Sequence, residues 1–430
     1  MGLIVRQAQR AGAGADAQRP VDIAIEDGVI TAVAPQLEQT ASEEIDAGGR
    51  LVTPPFVDSH FHLDAVLTAG TPRRNASGTL IEGIALWAEL QPLLHHEAVK
   101  ERAREYLRWC VSQGTLFLRS HVDVCQESLV GVRALVELRD ELRGIIDVQL
   151  VAFPQHGYLR FPDAPRLLDE ALDLGLDVVG GIPHYERSRE AGVESIRMLM
   201  DRAERRGLAV DMHCDETDDP NSRYVEVLAE ETVARDMQGQ VTGSHLTSLH
   251  SVDSAYFAKL VPLLDEAALA VISNPLLNMI TQARADTYPK RRGLTRVREL
   301  LGAGINVSFG HDCTLDPWYP LGAADMLEVA AMGVHACQMS GEHELGLMFD
   351  AVTLNGAQTL GLDGYGLEVG CAGDLVVLDA FSVAEALRTR PARLAVVRAG
   401  EVVARATAPE RTVLGPGMEG RVDFAQPAFR

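Results

Sequence analysis

Between residues 54 and 365, short apolar runs alternate with longer stretches whose apolar residues recur at helical spacing. The runs cover residues 56–62, 115–124, 145–153, 177–183, 208–214, 241–245, 268–274 and 305–311. Helix-like stretches include residues 97–113, 129–143, 191–206, 251–264 and 295–302. Eight strand-like units separated by helical ones predict an α/β chain folded as a (β/α)8 TIM-like barrel. An open doubly wound sheet alternates in the same way and is the competing architecture.

The chain ends read differently. Residues 21–25 and 29–33 are β-like and are separated by Glu26-Asp27-Gly28, a hairpin signal. Residues 374–379, 394–398 and 400–403 have the same character at the other end. A small β-sandwich domain assembled from residues 1–53 and 366–430 is therefore expected beside a barrel domain over residues 54–365.

Composition narrows the class. With 430 residues, 47% of them hydrophobic, and 38 Gly, the chain fits a globular α/β protein with many tight turns. A formal net charge of -22 repels a nucleic-acid backbone, and the nearest thing to a basic patch, Lys290-Arg291-Arg292, is short. The six Cys contain no C-x-x-C, which argues against a disulfide framework or a thiolate zinc knuckle and points to a reducing compartment. No apolar run approaches the roughly 18 residues that span a bilayer. The expected protein is soluble and cytoplasmic, with a small-molecule partner and neither membrane nor nucleic acid.

In a barrel of this type the residues that do chemistry sit at the C-terminal ends of several strands. In Val57-Asp58-Ser59-His60-Phe61-His62 an extended strand puts His60 and His62 on one face. A lone H-x-H equally describes a strand with two His in solvent, so further ligands decide. The third run leads to Gln155, the fifth to His213, Asp215 and Glu216, the sixth to His245 and the eighth to His311 and Asp312. Taken singly, His213 or His245 reads as a satisfied core residue. Together, three His and one carboxylate suit Zn2+ or Fe2+ with a position left for water. Such an ion makes hydroxide available at neutral pH, so the predicted chemistry is hydrolysis.

The pieces His60-Phe61-His62-Leu63-Asp64, Ala152-Phe153-Pro154-Gln155, His213-Cys214-Asp215-Glu216, Ser244-His245, Phe309-Gly310-His311-Asp312 and Asp316-Pro317-Trp318-Tyr319-Pro320 resemble the cytosine deaminases of the amidohydrolase superfamily. The resemblance runs through nearly the whole barrel into the terminal β region. Its most specific parts are Phe-Pro-Gln and Asp-Pro-Trp-Tyr-Pro. It implies one divalent metal ion held by His60, His62, His213 and Asp312. Binuclear relatives carry a carboxylated Lys at the end of the fourth strand, where this chain reads Ile182-Pro183-His184-Tyr185-Glu186.

The resemblance further implies that Glu216 shuttles protons as C4 of a pyrimidine is attacked and ammonia is expelled, while His245 and Asp312 orient the water. Implied substrate contacts are Gln155 on the C2-oxygen side, the Leu80 backbone carbonyl to the ring N1–H, and Trp318 as an apolar wall. A homo-oligomer is implied as well, and residues 326–339 carry apolar positions that serve either a subunit contact or a core.

One departure bears on the substrate. Relatives of this kind carry a second Asp directly after the metal-binding one, where this chain has Cys313. Without that carboxylate the wall near C5 is more apolar, and burying a methyl there is favourable by up to about 1 kcal/mol. The expected reactions are 5-methylcytosine to thymine and cytosine to uracil, each releasing ammonia. His156 stands where relatives often have a carboxylate, which keeps isocytosine, isoguanine or a triazine open. A non-catalytic binding protein on the same fold is the alternative from another class, and the presence of all four ligands with Glu216 argues against it. The other zinc deaminase fold needs H-x-E and a later P-C-x-x-C; His184-Tyr185-Glu186 meets only the first half.

Overall fold

The computed structural model describes residues 2–11 and 19–424, so residue 1, residues 12–18 and residues 425–430 of the expected terminal domain lie outside the described residues. The N-terminal part supplies β1 (Leu3–Arg10), β2 (Val21–Glu26), β3 (Val29–Ala34), β4 (Glu43–Asp46) and β5 (Leu51–Thr53). Asp27 and Gly28 both take positive φ, 49° and 78°, as the tight hairpin between β2 and β3 requires.

The barrel strands follow as β6 (Phe56–Phe61), β7 (Thr115–Asp123), β8 (Asp147–Phe153), β9 (Val178–Gly181), β10 (Ala209–Cys214), β11 (Val241–His245), β12 (Ala270–Ser273) and β13 (Val307–Phe309). The chain then returns to the first sheet with β14 (Leu375–Leu378), β15 (Arg393–Arg398) and β16 (Glu401–Arg405). All eight apolar runs of the middle region are strands.

The terminal sheet has the order β16-β15-β14-β5-β1-β2-β3, with β4 beside β1. Strand β1 belongs to two halves. Its residues Leu3 to Arg6 pair with β4, whereas Gln9 and Arg10 pair with β5, and an irregularity between Val5 and Ala8 turns the strand. The halves enclose a separate core that includes Leu3, Val5, Ile23, Ile25, Leu375 and Val397. The sheet domain built from both termini is as expected.

Strands β6 to β13 are parallel neighbours in sequence order. The ring closes through a bridge between Phe61 and Asp312, where the Asp312 N–H donates to the His60 carbonyl at 2.8 Å. A TIM-like barrel, not an open doubly wound sheet, is the architecture.

Helices cover its outside: α1 (Leu80–Leu90), α2 (His96–Ser112), α3 (Val130–Glu141), α4 (Ala164–Asp173), α5 (Arg189–Arg206), α6 (Tyr224–Ala234), α7 (Ser254–Glu266), α8 (Pro275–Thr281), α9 (Val297–Gly302) and α10 (Met326–Ala336). On α10, Met326, Leu327, Val329, Ala330 and Ala336 are buried within this chain, so those apolar positions serve its core. Among the described residues no helix is long and apolar enough to cross a membrane.

Arg393 ties the terminal sheet to the barrel. It donates from Nε to the Gln113 carbonyl at 3.0 Å, pairs with Asp325 at the start of α10, and lies over the Phe56 ring. Replacing one partner of a buried pair strands the other charge, at a cost of roughly 3–5 kcal/mol. Arg393→Ala should therefore lower the urea midpoint of unfolding clearly. An unchanged midpoint would remove this residue as the tie.

Candidate metal centre and active-site cavity

The ends of the barrel strands deliver the polar side chains. His60 lies in β6 with His62 just past it, His213 lies in β10, His245 ends β11, and Asp312 follows β13. All five are buried. Asp215, His245 and Asp312 adopt positive φ of 53°, 73° and 70°. Left-handed backbone in such residues costs on the order of 1–3 kcal/mol and persists only where the surroundings impose it. Here it breaks the strand at each site position.

Gly310 permits the close approach of the last strand to the first. A Cβ there would stand 2.6 Å from both the His60 Cβ and the Asn274 Oδ1. Asp58 secures the same junction by accepting from the His311 N–H at 2.9 Å, and burial pushes its carboxyl up to about 7.

The donor atoms converge. His62 Nε2 lies 3.2 Å from His213 Nε2, and Asp312 Oδ1 lies 3.5 Å from both His60 Nε2 and His62 Nε2. Ligands held by one tetrahedral Zn2+ at about 2.0–2.1 Å stand roughly 3.3 Å apart, so the observed edges fit one ion. His60 Nε2 and Asp312 Oδ2 are buried without a hydrogen-bond partner. Burial holds His62 down to about 3 and keeps His60 and His213 well below the usual imidazole value, so all three present neutral lone pairs. Burial, with Glu216 beside it, raises Asp312 well above the usual carboxylate range. A cation there would supply the missing countercharge, and three imidazoles with one carboxylate suit Zn2+ and Fe2+ alike.

Glu216 faces this centre across His245. Its Oε1 is buried, unpartnered and 3.6 Å from His245 Nδ1, which stands 3.8 Å from Asp312 Oδ2. Burial pushes the Glu216 carboxyl up to about 8. Asn274 and Asn278 approach the same His245 nitrogen at 3.2 and 3.1 Å, contacts the sequence did not reveal. Two strand-end residues point elsewhere. Asp215 accepts from the Ser222 hydroxyl and from the N–H groups of Tyr224 and Val225, which secures the start of α6. His311 is held at 2.9 Å from the Cys313 carbonyl.

A cavity of about 560 Å³ opens above the centre, and Leu80, Gln155, Glu216, Cys313 and Trp318 all line it. Leu80 is the first residue of α1, whose N-terminus the Thr79 side chain caps. Trp318 reaches its place because α1 carries Gly83, where a Cβ would stand 2.2 Å from the Trp318 Cδ1. Cys313 is buried with Sγ 3.7 Å from Asp312 Oδ1, and burial beside Asp316 keeps it a neutral thiol. His156 is not in the lining; its Nε2 lies 3.2 Å from the Gln91 Oε1.

Other participants escaped the sequence reading. His184 lines the cavity, and His121 of β7 with Asp211 of β10 lies directly beneath the centre. A signal existed. Arg119-x-His121-x-Asp123 and Asp211-x-His213-x-Asp215 alternate at period two within apolar strands, the spacing of one inward face.

The sequence profile of the amidohydrolase family matches residues 43–405. The chain belongs to that family. N-isopropylammelide isopropyl amidohydrolase of Pseudomonas sp. (strain ADP) is 30% identical over 395 residues, 89% of this chain and 93% of the relative. Pterin deaminase of Rhizobium rhizogenes is 28% identical over 418 residues, 94% of this chain and 93% of the relative. The crystal structure of 5-methylcytosine deaminase from Klebsiella pneumoniae liganded with phosphonocytosine superposes with a TM-score of 0.91 and 42% identity, covering 95% of this amidohydrolase and 99% of that chain. The expected enzyme class, an amidohydrolase-type hydrolytic deaminase, stands.

The raised Glu216 carboxyl has a consequence for stability. In the metal-free protein it keeps its proton up to about pH 8, whereas in the unfolded chain it ionises near 4.5. Between those values the folded state binds the extra proton, so this group's contribution to stability falls as pH rises. Metal-free Glu216→Gln protein should melt above wild type beyond pH 8 and lose that advantage below pH 4.5. Paired thermal melts check this, and a constant offset at both pH values would refute it.

Proposed function

We propose that this amidohydrolase deaminates a free pyrimidine base, taking 5-methylcytosine to thymine and cytosine to uracil with release of ammonia. The observation that carries the proposal is Glu216 set opposite His245 and Asp312 at the floor of a cavity whose wall includes Cys313. The 42% identity to a 5-methylcytosine deaminase over nearly the full chain supports it.

His60, His62, His213 and Asp312 would hold a divalent ion, whose chemistry when bound would be to make a water available as hydroxide at neutral pH. His245 and Asp312 orient that water and take up its proton. Protonated Glu216 would donate to the ring nitrogen N3 as C4 is attacked, take up the proton of the new C4 hydroxyl and pass it to the departing amine, and the water proton held by His245 and Asp312 would then restore Glu216 to its acid form. Gln155 offers one donor and one acceptor to the C2 carbonyl and its neighbouring N–H. The Leu80 carbonyl, which already faces the N–H of residue 84 along α1, shares its second lone pair with N1–H. Trp318 covers the ring face, and the Cys313 thiol lies towards C5, where a methyl meets sulfur rather than a carboxylate.

Another aminated ring, such as isocytosine, isoguanine or a triazine, is the second reading. The cavity of about 560 Å³ has room beyond one six-membered ring, and the relatives include enzymes named for N-isopropylammelide and pterin.

Ammonia release from cytosine, 5-methylcytosine and isoguanine, measured side by side, tests the proposal. The 5-methyl base should be turned over at least as well as cytosine, and Cys313→Asp should shift the ratio towards cytosine. A 5-methyl rate about tenfold below cytosine would sink the Cys313 argument, since the buried methyl is worth up to about 1 kcal/mol. Turnover of isoguanine alone would sink the pyrimidine assignment.

The protonated Glu216 also sets a pH limit. Its value of about 8 in the metal-free protein falls when a cation is bound nearby, so kcat/KM should decline on the alkaline side at or below about pH 8. A kcat/KM that still rises through pH 8 would remove Glu216 as the acid.

A further inference from the structure

Beneath the metal centre a chain of buried polar groups runs down the inside of the barrel. His60 Nδ1 lies 3.0 Å from the Ser244 hydroxyl, and that hydroxyl donates to Asp211 Oδ1 at 2.6 Å. Asp211 Oδ2 accepts from Arg119 Nη1 at 3.0 Å. Arg119 uses its remaining N–H groups on the Gln149 side-chain oxygen at 3.0 and 2.9 Å, on the Thr359 carbonyl at 3.1 Å and on the Thr242 hydroxyl at 3.4 Å. Gln149 in turn donates to the Leu360 carbonyl at 2.8 Å. None of the metal or substrate roles described above includes Ser244, Asp211 or Arg119.

The direction of this chain is determined by proton counting. Arg119 is always charged and has donors only, so it keeps Asp211 an acceptor. The Ser244 hydroxyl has one proton, and that proton is used on Asp211. Towards His60 the hydroxyl is then left with lone pairs, so the His60 proton sits on Nδ1. The lone pair consequently sits on Nε2, the buried and unpartnered atom that faces Asp312. His121 also faces this chain, with its ring centroid 4.2 Å from that of His60 at a tilt of 37° and its Nε2 3.7 Å from Asp211 Oδ1. Neither of its nitrogens has a hydrogen-bond partner, so it does not compete for the Ser244 proton.

We propose that Ser244, backed by Asp211 and Arg119, is a positioning residue that fixes the tautomer and ring orientation of His60 for metal binding. The proposal rests on the metal centre assigned above, but not on which base is the substrate. Outer partners of metal-bound imidazoles typically contribute 10–100-fold in affinity.

The test uses the full chain in two forms. In metal-free protein carrying 15N-labelled histidine, the His60 resonances, identified by their loss in His60→Asn, should report a single Nδ1–H tautomer. In Ser244→Ala they should report a mixture. In chelator competition, Ser244→Ala should bind Zn2+ some 10–100-fold more weakly than wild type. Ser248→Ala removes another buried hydroxyl, one that donates to the Ser222 carbonyl, and should leave the affinity unchanged.

An Nε2–H tautomer in wild type overturns the proposal. So does a Ser244→Ala affinity within threefold of wild type, or an equal loss in Ser248→Ala. Failure of wild type to bind Zn2+ or Fe2+ strikes the metal centre itself, and the tautomer of metal-free His60 then still decides the positioning role.

Discussion

The structure depends on keeping several titratable groups together where water cannot reach them. His60, His62, His213, His245, Glu216 and Asp312 share one end of a closed barrel, each of them buried. Burial alone strips charge from the imidazoles and forces protons onto the carboxyls, because neither ion is solvated. Such a cluster is poor at holding itself together and well prepared for a cation. Buried polar atoms without partners are costly in an ordinary core, and here ligand atoms of His60, His62 and His213, and of His60, His245 and Asp312, lie within 4.8 Å of one another.

Geometry of that precision comes from the sheet rather than from loops. The last strand reaches the first only because position 310 is Gly and because Asp58 secures the junction through the His311 N–H. At His245 and Asp312 the backbone leaves the strand in a left-handed conformation, and the packed barrel offsets the strain. The floor of the barrel takes part too. Arg119 anchors Asp211 and Ser244 from below, so the orientation of a metal-facing imidazole is tied to residues near the opposite end of the barrel.

The cavity above is built on a different principle. Its wall combines α1, the turn after β9, the segment after β10 and the loop that carries Cys313 and Trp318. Packing decides who faces inward. Gly83 lets Trp318 lie against α1, whereas His156, adjacent to the inward-facing Gln155, turns towards Gln91. The wall comes from loops and helix ends, apart from the strand ends beneath it.

Much of this was legible in the sequence. The eight apolar runs map onto the eight barrel strands because strand periodicity and burial are local properties of side chains. His60, His62, His213, His245 and Asp312 stood out with other polar residues because barrel chemistry gathers at strand ends, the resemblance to the cytosine deaminases singled out the expected ligands among them, and the terminal β segments announced themselves by their hairpin signal. Proximity across the barrel was not legible. That Ser244 touches His60, that Asn274 and Asn278 approach His245, and that Asp215 turns outward to secure α6 are contacts between residues up to 184 positions apart. By itself the sequence determined which polar side chains stand at strand ends and on which face of a strand each lies. Only the tertiary structure decided which of them meet, because barrel closure and strand-end backbone conformation are set by packing between distant segments.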